Sequence, residues 1–193
     1  MRLGVFGGSF DPVHVGHLIV AEAAAEALHL EKVLFVPARV QPFKVGLHSA
    51  PAEDRVAMLR LAIDGNPRFS VDLREIERDG PSYTVDTLRE LYSETPLDEL
   101  FLLVGADAAW DLPRWHDSET LSRYATLIVL SRPGFAVPEF EMISRAIDVP
   151  AISLSATDIR RSAGGAGSLR YLVPSAVVEY IESNCLYGLT EIC

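Results

Sequence analysis

Apolar residues recur along this chain in two alternating rhythms. The run "RLGVF", Arg2 to Phe6, ends at Gly7-Gly8, and the stretch after it places Leu18, Ala21, Ala25 and Leu28 on one face at i, i+3, i+7 and i+10. A strand followed by a helix is the expected outcome. "KVLFVP", Lys32 to Pro37, is a β-branched and aromatic run stopped by proline, so it predicts a second strand joined to the first by a right-handed crossover. Val56, Leu59 and Ile63 predict a helix opened near Ser49, with Glu53 and Asp54 in its first turn, and "FSVDL", Phe69 to Leu73, alternates as a strand. A helix from about Val85 to Tyr92 follows. "LFLLVG" (Leu100 to Gly105) and "TLIVL" (Thr126 to Leu130) are apolar throughout, as strands covered on both faces should be. The last third predicts a helix around Glu139 to Ile147, a short strand at about Ala151 to Ser153, a helix opening at Ser155 and a final helix from Pro174 to about Glu182.

Strands alternating with helices predict an α/β chain with a doubly wound, mostly parallel, Rossmann-like sheet and helices on both faces, three layers in all. With 193 residues, 49% of them apolar, the chain can bury a core of its own, and a single domain over 1–193 is expected. "SAGGAGS", Ser162 to Ser168, reads as a mobile loop. No basic leader precedes the first apolar run and no run of about 18 uncharged apolar residues occurs, which predicts a soluble cytoplasmic protein with no membrane partner. Cys185 and Cys193 carry no CxxC and no histidine at ligand spacing, and are read as free thiols.

A net charge of −10 argues against a nucleic-acid polymer as partner, because such binding needs a broad surplus of Lys and Arg. The distribution changes the picture. Lys32 to Ala52 contains three bases (Lys32, Arg39, Lys44) and no acid, and Ile159 to Val178 contains three more (Arg160, Arg161, Arg170), again with no acid. Two small basic islands in an acidic chain suit a compact polyanion such as a nucleoside triphosphate, since local field decides where a small anion settles.

In a doubly wound sheet, ligands bind beyond the carboxyl ends of the strands, and the loop after the first strand borders that crevice. Here the loop is "GGSFDPVHVGHL", Gly7 to Leu18. Its glycines let backbone approach a ligand, and the following helix offers N–H groups and a positive dipole end to an anion. It is neither a G-x-G-x-x-G dinucleotide loop nor a G-x-x-x-x-G-K-[ST] loop, and Pro37-Ala38 stand where a ribose-binding acid would end the second strand. His14 and His17 lack the i, i+4 spacing and the third ligand of a catalytic zinc. Phosphate contact is the better account of them.

G-G-S-F-D-P-x-H-x-G-H resembles the signature of the nucleotidyltransferase superfamily, whose H-x-G-H is similar to the HIGH motif of class I aminoacyl-tRNA synthetases. "SATDIRR", Ser155 to Arg161, resembles that group's I-S-x-T-x-I-R element, although Ser155 with Asp158 is also an ordinary helix cap. Three further segments, "GPSYTVDTL" (Gly80 to Leu88), "GADAAWDLPRWH" (Gly105 to His116) and "SRPG" (Ser131 to Gly134), resemble the bacterial nicotinate-nucleotide adenylyltransferase family, as does the C-terminal "RYLVPSAVVEYIESNCLYG". One departure stands out. Where the family has P-N-x-x-P-P-H-[KR] after the second strand, this chain has "PARVQPFK", with Ala38 for the asparagine and Phe43 for the histidine before Lys44.

The resemblance implies a nucleotidyltransferase fold and adenylyl transfer from ATP to nicotinate mononucleotide, giving nicotinate adenine dinucleotide and pyrophosphate. It implies an ATP site of Gly7, Gly8, Ser9, Phe10, His14, Gly16 and His17 with Ser155, Thr157, Ile159 and Arg160. The mononucleotide site is implied at Ser9, Lys44, Thr84, Asp107, Trp115, His116 and Arg132, with the ring carboxylate on Thr84 and the Trp115-His116 backbone. His17, His14, Lys44 and Arg160 are the expected catalytic groups, and Mg²⁺ is expected to arrive on ATP without a protein metal site. A cationic pyridinium ring wants an aromatic face, which Trp115 supplies. Competing readings are another small-molecule adenylyl or cytidylyl transferase and a regulatory module that binds ATP without chemistry. The oligomeric state, a homo-oligomer included, is left open.

Overall fold

Alternate residues of the central strands enter two different cores. In the computed structural model, which describes residues 1–40, 50–131, 136–150, 152–165 and 167–188, six strands form one sheet: β1 (Arg2–Gly8), β2 (Lys32–Pro37), β3 (Phe69–Val71), β4 (Glu99–Gly105), β5 (Thr126–Ser131) and β6 (Ile143–Asp148). Leu3 and Val5 of β1, Leu100, Leu102 and Val104 of β4, and Leu127 and Val129 of β5 point into one core. Phe6, Phe101, Leu103, Ile128 and Leu130 point into the other. A strand buried on both faces needs no polar alternation, which is why these segments are almost wholly apolar.

Helices cover both faces. The Phe6 side packs against α1 (Val15–Ala27), α2 (Ala52–Ile63), α6 (Ala156–Ala163) and α7 (Ser175–Ser183). The Val5 side packs against α4 (Thr84–Glu94) and the segment around Leu112 and Leu121, while two single turns, α3 (Arg74–Glu77) and α5 (Ala106–Ala109), complete the helices. The strand order is β3-β2-β1-β4-β5-β6 and every pairing is parallel. It reverses between β1 and β4, so the crevice at their carboxyl ends is the topological switch point.

Two expectations are corrected in the last third. The segment read as a helix around Glu139 to Ile147 is the edge strand β6, paired with β5 from Leu127–Ile143 to Ser131–Asp148. Only Ile143 and Ile147 are half-buried there, and an i, i+4 pair satisfies a two-residue period as well as a helical one. Exposed Ser144 and Arg145 are the polar residues an edge tolerates. The strand expected at Ala151 to Ser153 is absent at Ile152 and Ser153, and Ala151 lies outside the described residues. Ser162 and Ala163, read as loop, form the last turn of α6. Cys185 is disulfide-bonded, which corrects the expectation of a free thiol there; the missing CxxC bears on metal and redox motifs, not on pairing.

Candidate active site

The loop leaving β1 is shaped by close approaches at two of its glycines. Phe10 adopts a left-handed backbone (φ 47) and turns its ring inward, fully buried against Phe6, Phe35 and His17. A Cβ on Gly8 would sit 3.1 Å from that ring, and a Cβ on Gly16 would sit 3.0 Å from Nδ1 of His14. Any larger residue at 16 would press on the His14 ring, which would have to give by a few tenths of an ångström. The two imidazoles stack with centroids 3.7 Å apart. The His14 backbone N–H donates to Nδ1 of His17 at 3.2 Å, so neutral His17 carries its proton on Nε2, where it can donate to a ligand. Nδ1 of His14 is buried and makes no hydrogen bond among the described residues.

Burial holds both rings neutral. It brings the His14 pKa down to about 4 and depresses His17 well below 6.5, to which the neighbouring His14 adds. A base whose folded pKa is depressed binds fewer protons folded than unfolded, so its stabilising contribution is complete above pH 6.5 and is lost as the pH falls toward 4. Unfolding by denaturant at a series of pH values should show a loss of roughly 3 kcal/mol attributable to His14 across that window, following from about 1.36 kcal/mol per pK unit. His14→Gln should flatten that slope, and an unchanged slope would count against a neutral buried imidazole.

At the far end of the sequence, α6 closes on the same loop. Ser155 caps the helix, accepting from the Asp158 N–H at 3.1 Å and donating to Oδ2 of Asp158 at 2.6 Å. Arg160 donates through Nη1 to the Asp11 carbonyl at 2.7 Å and through Nη2 to Oγ1 of Thr157 at 3.3 Å. Ile159 is fully buried and its N–H donates to the Ser155 carbonyl. Its side chain anchors α6 in the core.

Beside the loop, at the switch point, a cavity of about 600 Å³ is lined by Gly7, Gly8, Thr84, Asp107, Trp115 and His116, all expected in the site. Val5, Val36 and Val104 of the α4-side core form its apolar wall. His17 packs on Phe6 and Phe10 of the opposite core, so Gly7-Gly8 is the boundary between cavity and histidine pair. The Tyr83 and His116 rings stack at 4.2 Å. The Trp115 N–H donates to the Leu112 carbonyl at 3.0 Å, closing the 3-10 turn. No bond to the His116 N–H occurs among the described residues. Lys44 and Arg132 lie outside the described residues.

Two buried charged groups escaped the sequence. Glu75 lines the cavity at 6% exposure, accepts from the Thr87 hydroxyl at 2.7 Å and is pushed up in pKa by burial. It sits in the charge-rich "REIERD", where nothing marks one acid as buried. Arg55, 1% exposed, donates to the Ser9 carbonyl at 2.7 Å. It had a signal, since it shares the face of α2 that carries buried Met58 and Leu59.

Comparison with known proteins places this geometry. The model of the cytidylyltransferase-like family matches residues 5–162. Relatives from Thermus thermophilus (49% identical, 97% of this chain and 100% of the relative) and Roseiflexus sp. (44%, 96% and 97%) are both named "Probable nicotinate-nucleotide adenylyltransferase". The chain belongs to the nicotinate-nucleotide adenylyltransferases. The fold is also that of a solved structure, the Plasmodium falciparum nicotinic acid mononucleotide adenylyltransferase complexed with NaAD, at TM-score 0.80, 18% identity and 98% coverage of both chains. In this member of the nicotinate-nucleotide adenylyltransferases, the two signature motifs meet physically through the bond from Arg160 to Asp11.

Proposed function

We propose that this chain transfers the adenylyl group of ATP to nicotinate mononucleotide, releasing pyrophosphate and giving nicotinate adenine dinucleotide for NAD biosynthesis. The observation that carries this assignment is the shared boundary: the cavity holding Thr84, Asp107, Trp115 and His116 abuts, at Gly7-Gly8, the loop that holds His14 and His17. A pyridine mononucleotide in the cavity would direct its phosphate toward that loop. One phosphate oxygen attacks the α-phosphorus in line, the new P–O bond forms, and the bond to the β-phosphate oxygen breaks.

The attacking phosphate is already an anion at neutral pH, so the protein need only position it and stabilise charge. Nε2–H of His17 donates to the α-phosphoryl group, with His14 beside it. Arg160, Thr157 and the α6 N-terminus capped by Ser155, joined by Lys44, hold the β and γ phosphates. Thr84 and the His116 N–H take the ring carboxylate, Trp115 faces the ring, Asp107 lies beside the nucleotide, and Arg132 and Ser9 serve its phosphate. With the Asp11 carboxylate buried and bonded to Ala50 and Tyr187, the groups left at the loop are imidazole, guanidinium, hydroxyl and peptide N–H, a donor set that suits phosphate oxygens and not a hard cation. Mg²⁺ accordingly travels on ATP and water. The assignment places the whole reaction in one domain over 1–193, in the cytoplasm; no helix among the described residues is long and apolar enough to cross a membrane.

The test is pyrophosphate release from Mg²⁺ and ATP with nicotinate or nicotinamide mononucleotide, with the dinucleotide identified by mass. At least a tenfold preference in kcat/KM for the carboxylate is expected, because buried donors left without their acceptor penalise the wrong ring substituent. Comparable rates would keep the reaction and overturn the roles of Thr84 and His116. Release with neither would overturn the assignment.

A further inference from the structure

A loop that presents N–H groups to an anion must turn its carbonyls the other way and satisfy them there. In a trans peptide the carbonyl of one residue and the N–H of the next point in opposite directions. Holding the Ser9 carbonyl therefore fixes the orientation of the Ser9–Phe10 peptide, whose N–H makes no bond among the described residues. Arg55 of α2 supplies the grip on Ser9 and Arg160 of α6 the grip on the Asp11 carbonyl, each at 2.7 Å.

The Asp11 side chain is the hinge of this support. It is 3% exposed, and its Oδ1 accepts from the Ala50 N–H at 3.2 Å and from the Tyr187 hydroxyl at 2.8 Å. Tyr187 lies beyond residues 5–162 of the family match, in the turn Leu186–Gly188 after α7. Burial and the Asp11 charge raise its pKa, so the phenol keeps its proton and donates it. A second tyrosine, Tyr180, ties α7 to α2 by donating to Oδ1 of Asp54 at 2.8 Å, beside Arg55. The C-terminal segment is thereby fixed to both α2 and the loop.

We propose that Tyr187, acting through Asp11 and together with Arg55, is a positioning residue of the ATP phosphate loop, so that the C-terminal segment is a working part of the nucleotide site. This rests on the assignment of the loop to ATP but not on the identity of the acceptor. Tyr187→Phe removes one hydroxyl and little volume. Titration calorimetry of the variant with a Mg²⁺ complex of a non-hydrolysable ATP analogue should show affinity lowered about fivefold to tenfold, the scale of one ordinary hydrogen bond felt through the loop. Binding of nicotinate mononucleotide should stay within twofold and the melting temperature within a few degrees. Asp11→Asn, which keeps shape and removes the charge facing Arg55, should move ATP affinity in the same direction and serves if Tyr187→Phe fails to fold. Equal loss for both ligands, or no loss for ATP in either variant, would overturn the proposal. Absence of ATP binding in the wild-type protein would instead overturn the assignment of the loop.

Discussion

Replacing His17 by alanine is expected to lower kcat about a hundredfold to a thousandfold while changing KM for ATP only a few-fold. The reason lies in which nitrogen carries the proton. Nδ1 of His17 is committed as an acceptor from the His14 N–H, and burial keeps the ring neutral, so the one proton is on Nε2. A neutral N–H donor gains most from an oxygen whose negative charge increases, and in this reaction that increase occurs on the α-phosphoryl oxygens at the transition state. Losing one such preorganised donor costs about 10²–10³ in kcat, and a donor used little in the ground state costs little in binding. His17→Gln, whose amide nitrogen reaches a similar place, should recover part of the rate. The ring also packs on Phe10 at 5.1 Å, so the variants need a melting control to separate lost chemistry from a cavity. An unchanged kcat, or an effect confined to KM, would remove His17 from the transition state.

The parts of this molecule that were legible in the sequence are those where one physical demand dominates. Strands β4 and β5 are buried on both faces, so an unbroken apolar run identifies them, and Gly8 and Gly16 mark a backbone that passes close to rings. β6 carries a helical pattern in the sequence because an edge strand has little to bury, and two isoleucines four apart do not choose between periods. The phosphate-loop motif was legible as a linear pattern, but its support was not. Arg55, Asp11 and Tyr187 come together over separations of 44, 132 and 176 residues, and no local spacing encodes such a meeting. Trp115 lines the cavity, and its N–H closes the 3-10 turn that Pro113 opens, a local bond that a motif match does not describe.

Arg160→Ala should lower kcat/KM for ATP about a hundredfold, and Arg160→Lys should recover little of it. Both expectations follow from the two tasks that the guanidinium performs at once. It places a permanent charge in the last turn of α6, a short helix whose N-terminus is assigned to the β and γ phosphates, and it holds the Asp11 carbonyl and the Thr157 hydroxyl through two different nitrogens. Lysine restores the charge but offers a single ammonium centre, which cannot serve two directions from one fixed plane. A charge-assisted hydrogen bond contributes about 1.5–3 kcal/mol, and loss of the grip on the Asp11 carbonyl frees the loop as well. The mononucleotide cavity is walled by β1, β4 and α4 and does not include Arg160, so KM for nicotinate mononucleotide at saturating ATP should stay within about twofold. Steady-state kinetics with each substrate varied in turn separates these effects. A lysine variant as active as the wild type would reduce Arg160 to a charge and dissolve the coupling between the two motifs, whereas equal losses for both substrates would make it a residue of the general fold.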